Sequence, residues 1–232
     1  MRMSQRAFDL IVSEEDGSEA DYNKTEASTD YPGGASGVTI GIGYDCGYET
    51  AAAIMTDWGD KLPPMMIQAL CAVAGIHGSP ARSHAIEMHA IVKVSWEAAL
   101  NVFQQRDVPL WEKKVGDALA NCQLLSGDSF GALVSLAFNR GASFHLAGAR
   151  YSEMREIAQL MAIGTPAAFA EIPDKFRAMK RLWPLGTEDH ADLTARREHE
   201  AALFEQGLKQ RSIRDQETEA AFAAGATVVA GE

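Results

Sequence analysis

The sequence from residue 30 to residue 46 reads Asp-Tyr-Pro-Gly-Gly-Ala-Ser-Gly-Val-Thr-Ile-Gly-Ile-Gly-Tyr-Asp-Cys. Its five glycines and one proline surround a short β-favouring run, Val38-Thr39-Ile40. This density of glycine around β-branched residues predicts tight turns and a small hairpin rather than a helix. The hairpin carries a hydroxyl on Thr39 and a carboxylate on Asp45, which makes it the first candidate for chemistry.

The composition indicates a chain that folds around its own hydrophobic core. It has 232 residues, of which 47% are hydrophobic, enough for a core without covalent cross-links. The three cysteines, Cys46, Cys71 and Cys122, are too few and too scattered for a disulfide framework or a zinc site. The histidines at positions 77, 84 and 89 lack Cys or carboxylate partners at ligand spacing. We therefore expect neither a metal nor an organic cofactor.

The charge of the chain argues against nucleic acid as a partner. The net charge is -11, whereas phosphate polymers are held by basic surfaces. The acidic excess is concentrated in residues 1–61, which carry a net of -8. We also expect no membrane insertion and no signal peptide, since no apolar run is long enough for either. Synthesis is expected in the cytoplasm, and if the target lies in the periplasm or outside the cell, another system must deliver the protein there.

Helical patterns account for most of the remaining sequence. Phe8, Ile11 and Val12 share one helical face, which predicts a first helix from about Ser4 to Glu15. Residues 20–37 are expected to form turns and short strands, and Pro109 is expected to kink or interrupt a helix. The further predicted helices are 49–58 capped by Thr50, 65–76, 83–91, one starting after Ser95, 111–119, 130–138 capped by Asp128 or Ser129, 152–161, 166–172, 175–183 and 193–210.

Several of these features, taken in order, resemble one known family. Glu15 at a helix end, Tyr22 seven positions later, and the hairpin sequence Thr39-Ile40-Gly41-Ile42-Gly43 are similar to the N-terminal signature of the phage-type lysozymes (muramidases, endolysins). Residues 132–141 resemble the core helix of that family, and residues 196–204 resemble its closing motif. The resemblance covers most of residues 5–208, and the region from Pro63 to Ile91 looks like an addition.

The resemblance implies an α+β, lysozyme-like fold of two lobes with a substrate cleft between them. The expected parts are an N-terminal catalytic lobe with a short antiparallel sheet (1–62), a helical insertion (63–93), a mainly helical C-terminal lobe (94–210) and a flexible or weakly helical tail (211–232). The chain is expected to be a monomer. The insertion is expected to extend the cleft, contact an immunity or delivery partner, or cover the first lobe.

One position departs from the common pattern of the family. The usual second catalytic Asp stands six residues before the Thr, where this chain has Gly33. A pesticin-like placement puts it six residues after the Thr, at Asp45. We therefore assign the second carboxylate to Asp45 and keep Asp30 as the alternative.

The activity implied by the resemblance is hydrolysis of the β-1,4 bond between N-acetylmuramic acid and N-acetylglucosamine in peptidoglycan strands. Glu15, expected to be half-buried, would act as the general acid, while Asp45 and Thr39 position a water. An inverting reaction implies a carboxyl separation of roughly 6.5 to 9.5 Å. The candidate substrate-binding residues are Tyr44, Asn139, Arg140, Arg196 and Arg197.

Alternatives remain open at this level. Arg196 and Arg197 could orient Glu15, or could serve only as structural partners of Glu198 and Glu200. The chain could instead be a non-catalytic glycan-binding or assembly protein on a lysozyme scaffold, or have a chitinase-like or transglycosylase-like activity. Delivery by a holin, a phage tail or a secretion system would each fit the sequence.

Overall fold

The structure is a computed structural model that describes residues 1–15, 17–25, 27–187 and 189–223. It is mostly helical (68%) and contains a short two-stranded antiparallel sheet. The expected α+β class is confirmed at this level. No helix in the described part of the chain is long and apolar enough to cross a lipid bilayer.

The helices and strands are α1 (Gln5–Glu15), α2 (Glu19–Thr25), β1 (Thr39–Ile40), β2 (Tyr44–Asp45), α3 (Ala51–Trp58), α4 (Pro64–Ala72), α5 (Ser79–Met88), α6 (Trp96–Val102), α7 (Val108–Ala118), α8 (Gly127–Arg140), α9 (Ser152–Ile163), α10 (Pro166–Ala170), α11 (Ile172–Ala178) and α12 (His190–Ala223). Short 3-10 turns cover Cys46–Tyr48, Cys122–Leu124, Ala149–Tyr151 and Met179–Leu182, and a π-helical turn covers Phe103–Asp107.

The chain divides into two compact units. One is Val12–Leu110, here called the hairpin unit, and the other combines Met1–Ile11 with Trp111–Glu232, here called the helical unit. The second lobe is predicted from residue 94 onward. In the structure, residues 94–110 belong to the hairpin unit instead.

Tyr22 shows why this segment joins the hairpin unit. Its hydroxyl donates to the carbonyl of Val94 at 3.1 Å, and its ring centroid lies 5.1 Å from that of Trp96. Tyr22 is fully buried on α2, a helix that the sequence analysis did not predict. Ser18 caps α2 by accepting a hydrogen bond from the amide of Asp21 at 3.3 Å. A seven-residue helix with one buried side chain has almost no periodic signal of its own.

The predicted hairpin is present. Thr39 pairs with Asp45 and Ile40 pairs with Tyr44 in antiparallel register. Val38 and Ile40 are buried, whereas Thr39 between them is only partly covered. This alternation separates an apolar face, which packs into the core, from a polar face that carries Thr39.

The centre of the helical unit is α8, which is buried along most of its length, as its apolar sequence predicted. Its cap is Ser126, whose hydroxyl accepts from the amide of Ser129 at 3.2 Å. The cap therefore lies before Asp128 and Ser129, the two residues expected for it. The helix ends at Gly141 with φ of +74°, a conformation that favours glycine.

The last helix, α12, is longer than expected. The pattern predicted an end near residue 210, but the helix continues to Ala223. The part of the expected tail from 211 to 223 is therefore helical, and residues 224–232 lie outside the described residues.

Pro109 does not interrupt its helix, because the chain widens into a π-helical turn, Phe103–Asp107, between α6 and α7. Proline lacks an amide hydrogen, and its ring crowds the carbonyl four residues earlier. A wider turn at this point leaves room for the ring, which explains why a helical path survives here. The same turn carries Arg106 and Asp107.

In the hairpin unit, the Arg106 side chain forms ion pairs with three carboxylates. Its guanidinium contacts Asp107 at 2.5 Å, Asp57 at 3.2 Å and Glu49, and it lies 4.6 Å from the centroid of the Tyr44 ring. Burial raises the pKa of Asp107 to about 6, although Arg106 acts in the opposite direction. Asp107 therefore binds a proton more readily in the folded chain than in the unfolded chain, where the pKa of Asp is about 3.9.

This shift predicts a pH dependence of stability. Between about pH 4 and pH 6, folding takes up a proton at Asp107, so its contribution to the free energy of unfolding falls as pH rises. In the wild-type protein, this contribution to the free energy of unfolding should fall by at most about 3 kcal/mol between pH 4 and pH 7.5. Asp107→Asn should abolish that fall. Urea unfolding of both proteins at the two pH values measures the difference.

The matched control is Glu97→Gln, since Glu97 is an exposed carboxylate of the same unit. This variant should keep the wild-type difference between the two pH values. The same pH response in the wild-type protein and in Asp107→Asn would contradict the role given to Asp107.

Candidate functional site

Asp30, Thr39 and Asp45 form a row on one face of the hairpin. Thr39 is paired with Asp45 in the sheet and with Asp30 in an isolated antiparallel bridge. The amide of each of Asp30 and Thr39 donates to the carbonyl of the other at 2.9 Å. Directly opposite residues of antiparallel segments place their side chains on the same face. A hydroxyl is thus flanked by two carboxylic side chains, one from each neighbouring segment.

The hydroxyl of Thr39 is distinguished by its lack of a partner. Its Oγ1 atom is buried and has no hydrogen-bond partner among the described residues. A buried hydroxyl without a hydrogen bond costs about 1–3 kcal/mol, so it is disfavoured unless the position has another use. Thr39 therefore has a hydrogen-bonding capacity that the described residues do not use, although its Oγ1 atom is covered from solvent in this structure.

Asp45 is held by the backbone. The amide of Gly37 donates to its two carboxylate oxygens at 2.9 and 3.0 Å, and the amide of Gly47 donates to Oδ1 at 2.8 Å. A Cβ atom on Gly37 or Gly47 would collide with the backbone of the other and approach the Asp45 carboxylate. Because both residues are glycines, their backbones approach closely enough for both amides to donate hydrogen bonds to the carboxylate. Sequence reasoning missed this pair, although both residues were visible as glycines flanking the hairpin strands.

Asp30 is free by comparison. Its side chain is exposed, and its carboxylate makes no hydrogen bond or ion pair within the described part of the chain. The structure thus places both candidate second carboxylates beside Thr39 but in different states. Asp45 is fixed in orientation, whereas Asp30 can turn toward a ligand.

Glu15 is the last residue of α1, where the sequence analysis expected it. Ile11 and Val12, one turn earlier, are buried. Glu15 itself is exposed rather than half-buried. The burial expected at the end of this helix therefore does not extend to the Glu15 side chain.

Tyr44 lies in the core instead of on a binding surface. It is 1% exposed, its hydroxyl donates to Asp57 at 2.8 Å, and its ring packs edge-on against Trp58. Burial and the Asp57 hydrogen bond raise the pKa of the Tyr44 phenol, which keeps it a donor. This geometry gives Tyr44 the role of anchoring β2, not that of contacting a substrate.

Asn139 and Arg140 end α8 in the helical unit. Arg140 donates through Nη2 to the carbonyl of Arg150 at 2.8 Å and lies 5.5 Å from the Trp183 ring centroid. Its Nε and Nη1 atoms are buried without hydrogen-bond partners among the described residues. Burial, with Arg150 and Arg197 nearby, lowers the pKa of Arg140. A guanidinium in this state is suited to an anionic group, and the binding role expected for Arg140 stays a prediction.

Arg196 and Arg197 belong to a buried ion cluster. Arg197 contacts Glu200 at 2.9 Å and Arg196 contacts the same carboxylate at 3.5 Å, while Ser135 donates to it at 2.8 Å. Asn139 accepts a hydrogen bond from Arg197 at 3.1 Å. The structural alternative raised from the sequence is therefore realised for Glu200. Glu198, the other expected partner, pairs with different cations of the helical unit, Arg177 and Lys180.

Metal ligands are not clustered in the described part of the chain, where no group of three or more His, Cys, Asp or Glu side chains is placed to hold an ion. Comparison with known proteins adds no assignment: the sequence matches no protein-family profile and no curated protein.

Proposed function

We propose that this chain is a lysozyme-like glycoside hydrolase that cleaves the β-1,4 bond between N-acetylmuramic acid and N-acetylglucosamine in peptidoglycan. The observation that carries the proposal is the row Asp30, Thr39 and Asp45, in which a hydroxyl with no hydrogen-bond partner among the described residues lies between two carboxylic side chains. Support also comes from the helix end at Glu15 followed by this hairpin, the order found in the phage-type lysozymes that the sequence resembles.

The proposed reaction uses two carboxyl groups and one water. Glu15 gives its proton to the glycosidic oxygen as the bond from that oxygen to the anomeric carbon breaks. A water held by Thr39 attacks the anomeric carbon from the opposite side, and its proton passes to Asp45 or Asp30. Because the water attacks directly, the configuration at the anomeric carbon inverts.

A non-catalytic glycan-binding protein is the second candidate, and the exposure of Glu15 favours it. A general acid of this kind is normally shielded by burial, and the Glu15 side chain is exposed. Loss of turbidity in a suspension of purified cell walls separates a hydrolase from a binding protein. Analysis of the products for a reducing muramic acid end, an anhydro end or chitin fragments distinguishes muramidase, transglycosylase and chitinase activities.

Glu15→Gln should abolish clearing of cell walls while leaving the fold intact. Loss of a general acid typically reduces the rate by about 10²–10⁴-fold. Turbidity measures the rate, and circular dichroism checks the fold. Glu19→Gln, which changes an exposed carboxylate on the first turn of α2, is the control and should remain active. Wild-type clearing by Glu15→Gln would refute the assignment of the acid.

The second carboxylate can be assigned by two matched variants. Asp45→Asn should lose most of the activity and Asp30→Asn should not. The Asn side chain retains one oxygen for the amides of Gly37 and Gly47, which both reach Oδ1 of Asp45, so the hairpin should persist. Wall clearing together with thermal unfolding separates lost chemistry from lost structure. The reverse order of activities would move the role to Asp30.

For Thr39→Val we expect opposite effects on stability and on activity. Valine keeps the shape but removes a hydroxyl that has no hydrogen-bond partner among the described residues, so stability should be unchanged or higher by about 1 kcal/mol. If Thr39 holds the attacking water, wall clearing should fall by about tenfold to a hundredfold. Thr39→Ser keeps the hydroxyl and should retain more activity. Full activity of the Val variant would exclude this role for Thr39.

A further inference from the structure

A pocket with a volume of about 440 Å³ adjoins the candidate site within the hairpin unit. One wall is the segment Thr29–Tyr31, and the other is formed by Arg82, Ala85, Ile86 and His89 at and just beyond α5. These four residues recur at helical spacing, so they share one face. The pocket is thus formed partly by the segment that pairs with Thr39 and partly by the region that the sequence analysis identified as an insertion.

The two walls are joined by side-chain hydrogen bonds. Thr29 donates through its hydroxyl to the carbonyl of Ala85 at 2.8 Å, and Ser28 donates to the carbonyl of His89 at 2.5 Å. The Nδ1 atom of His89 lies 3.1 Å from the carbonyl of Thr29. The spacing between the segment and the helix is therefore set by direct bonds, which makes the pocket a fixed feature of the unit.

The pocket presents opposite charges that do not neutralise each other. Asp30 and Arg82 both line it, and neither side chain makes a hydrogen bond or ion pair within the described residues. Ile86, 68% exposed, adds an apolar contact. The ring of Tyr31 is oriented by a hydrogen bond from its hydroxyl to the carbonyl of Gly34 at 2.9 Å.

This combination fits a short peptide with free charges better than a sugar ring. Sugar hydroxyls and acetamido groups are neutral, so they would leave a free carboxylate and a free guanidinium without counter-charges. A peptide with a free carboxylate and a free amine supplies both counter-charges, and small apolar side chains can contact Ala85 and Ile86. Charge-assisted hydrogen bonds of this kind are stronger than neutral ones.

The position of the pocket adds to this argument. Asp30 lies both in the pocket and beside Thr39, to which it is paired through the backbone. Neighbouring strands are about 4.8 Å apart, so a substituent on a sugar held at Thr39 needs to extend only a short way to enter.

We propose that this pocket binds the peptide stem of the peptidoglycan strand, with Arg82 pairing a peptide carboxylate and Asp30 pairing the amine of a diamino acid. The inference rests on the proposed function for its choice of peptide. It gives the region from Pro63 to Ile91 a role in substrate selection.

The test is a direct binding measurement that needs no catalysis. Isothermal titration of Glu15→Gln with a synthetic N-acetylmuramyl tetrapeptide containing a diamino acid is compared with titration by the methyl amide of N-acetylmuramic acid, in which the lactyl carboxylate is blocked as it is in the tetrapeptide. The tetrapeptide should bind more tightly. Adding Arg82→Ala should weaken tetrapeptide binding by about tenfold or more, the loss expected for one charge-assisted contact, and should leave binding of the peptide-free sugar unchanged.

Lys93→Ala is the matched control, because Lys93 is an exposed cation of the same unit outside the pocket. It should leave tetrapeptide binding unchanged. Equal affinity for the two probes, or equal weakening by Arg82→Ala and Lys93→Ala, would overturn the inference. Selective tetrapeptide binding by a wild-type protein that clears no cell walls would support the pocket and reject the hydrolase.

Discussion

The hairpin depends on the hydrogen bonds that two backbone amides donate to the Asp45 carboxylate. Each strand has only two residues, so the ladder itself supplies few hydrogen bonds. Gly37 lies before the first strand and Gly47 after the second, and the carboxylate joins them. Hydrogen bonds to a charged group contribute about 1.5–3 kcal/mol each. The register that puts Thr39 opposite Asp45 is therefore held largely by a side chain.

That arrangement gives the two aspartates beside Thr39 different capacities. Asp45, paired with Thr39 in the sheet, is held in one orientation by the amides of Gly37 and Gly47, which suits a group that must hold a small molecule in a fixed position. Asp30 is exposed and unpaired in the described structure, and it opens onto the pocket that contains Arg82. In the proposed enzyme the two aspartates therefore have separate roles. Asp45 and Thr39 hold the water, while Asp30 contacts the substrate beyond the cleaved bond.

The sequence predicted the parts that rest on local signals, and missed those that rest on distant partners. The helix ending at Glu15, the Thr50 and Ser95 caps and the hairpin all have signals within a few residues. The burial of Tyr44 depends on the later helix that carries Asp57, and α2 depends on Tyr22 reaching Val94, 72 positions away. Sequence reasoning missed the residues around the site for the same reason. Neither the contact between Gly37 and Gly47 nor the pocket at Arg82 produces a hydrophobic periodicity that could be recognised in the sequence.

The acidic excess of the first 61 residues produces a weaker electrostatic field than the number of its carboxylates indicates. Two of those carboxylates, Glu49 and Asp57, contact Arg106 together with Asp107, and this one cation offsets one of the three negative charges. Asp30 and Asp45 remain beside Thr39, but Arg82 adds a cation to the pocket that Asp30 lines. Of the two carboxylates beside Thr39, Arg82 offsets one, so an anionic glycan would meet less negative charge at the proposed site than the net charge of the first 61 residues indicates.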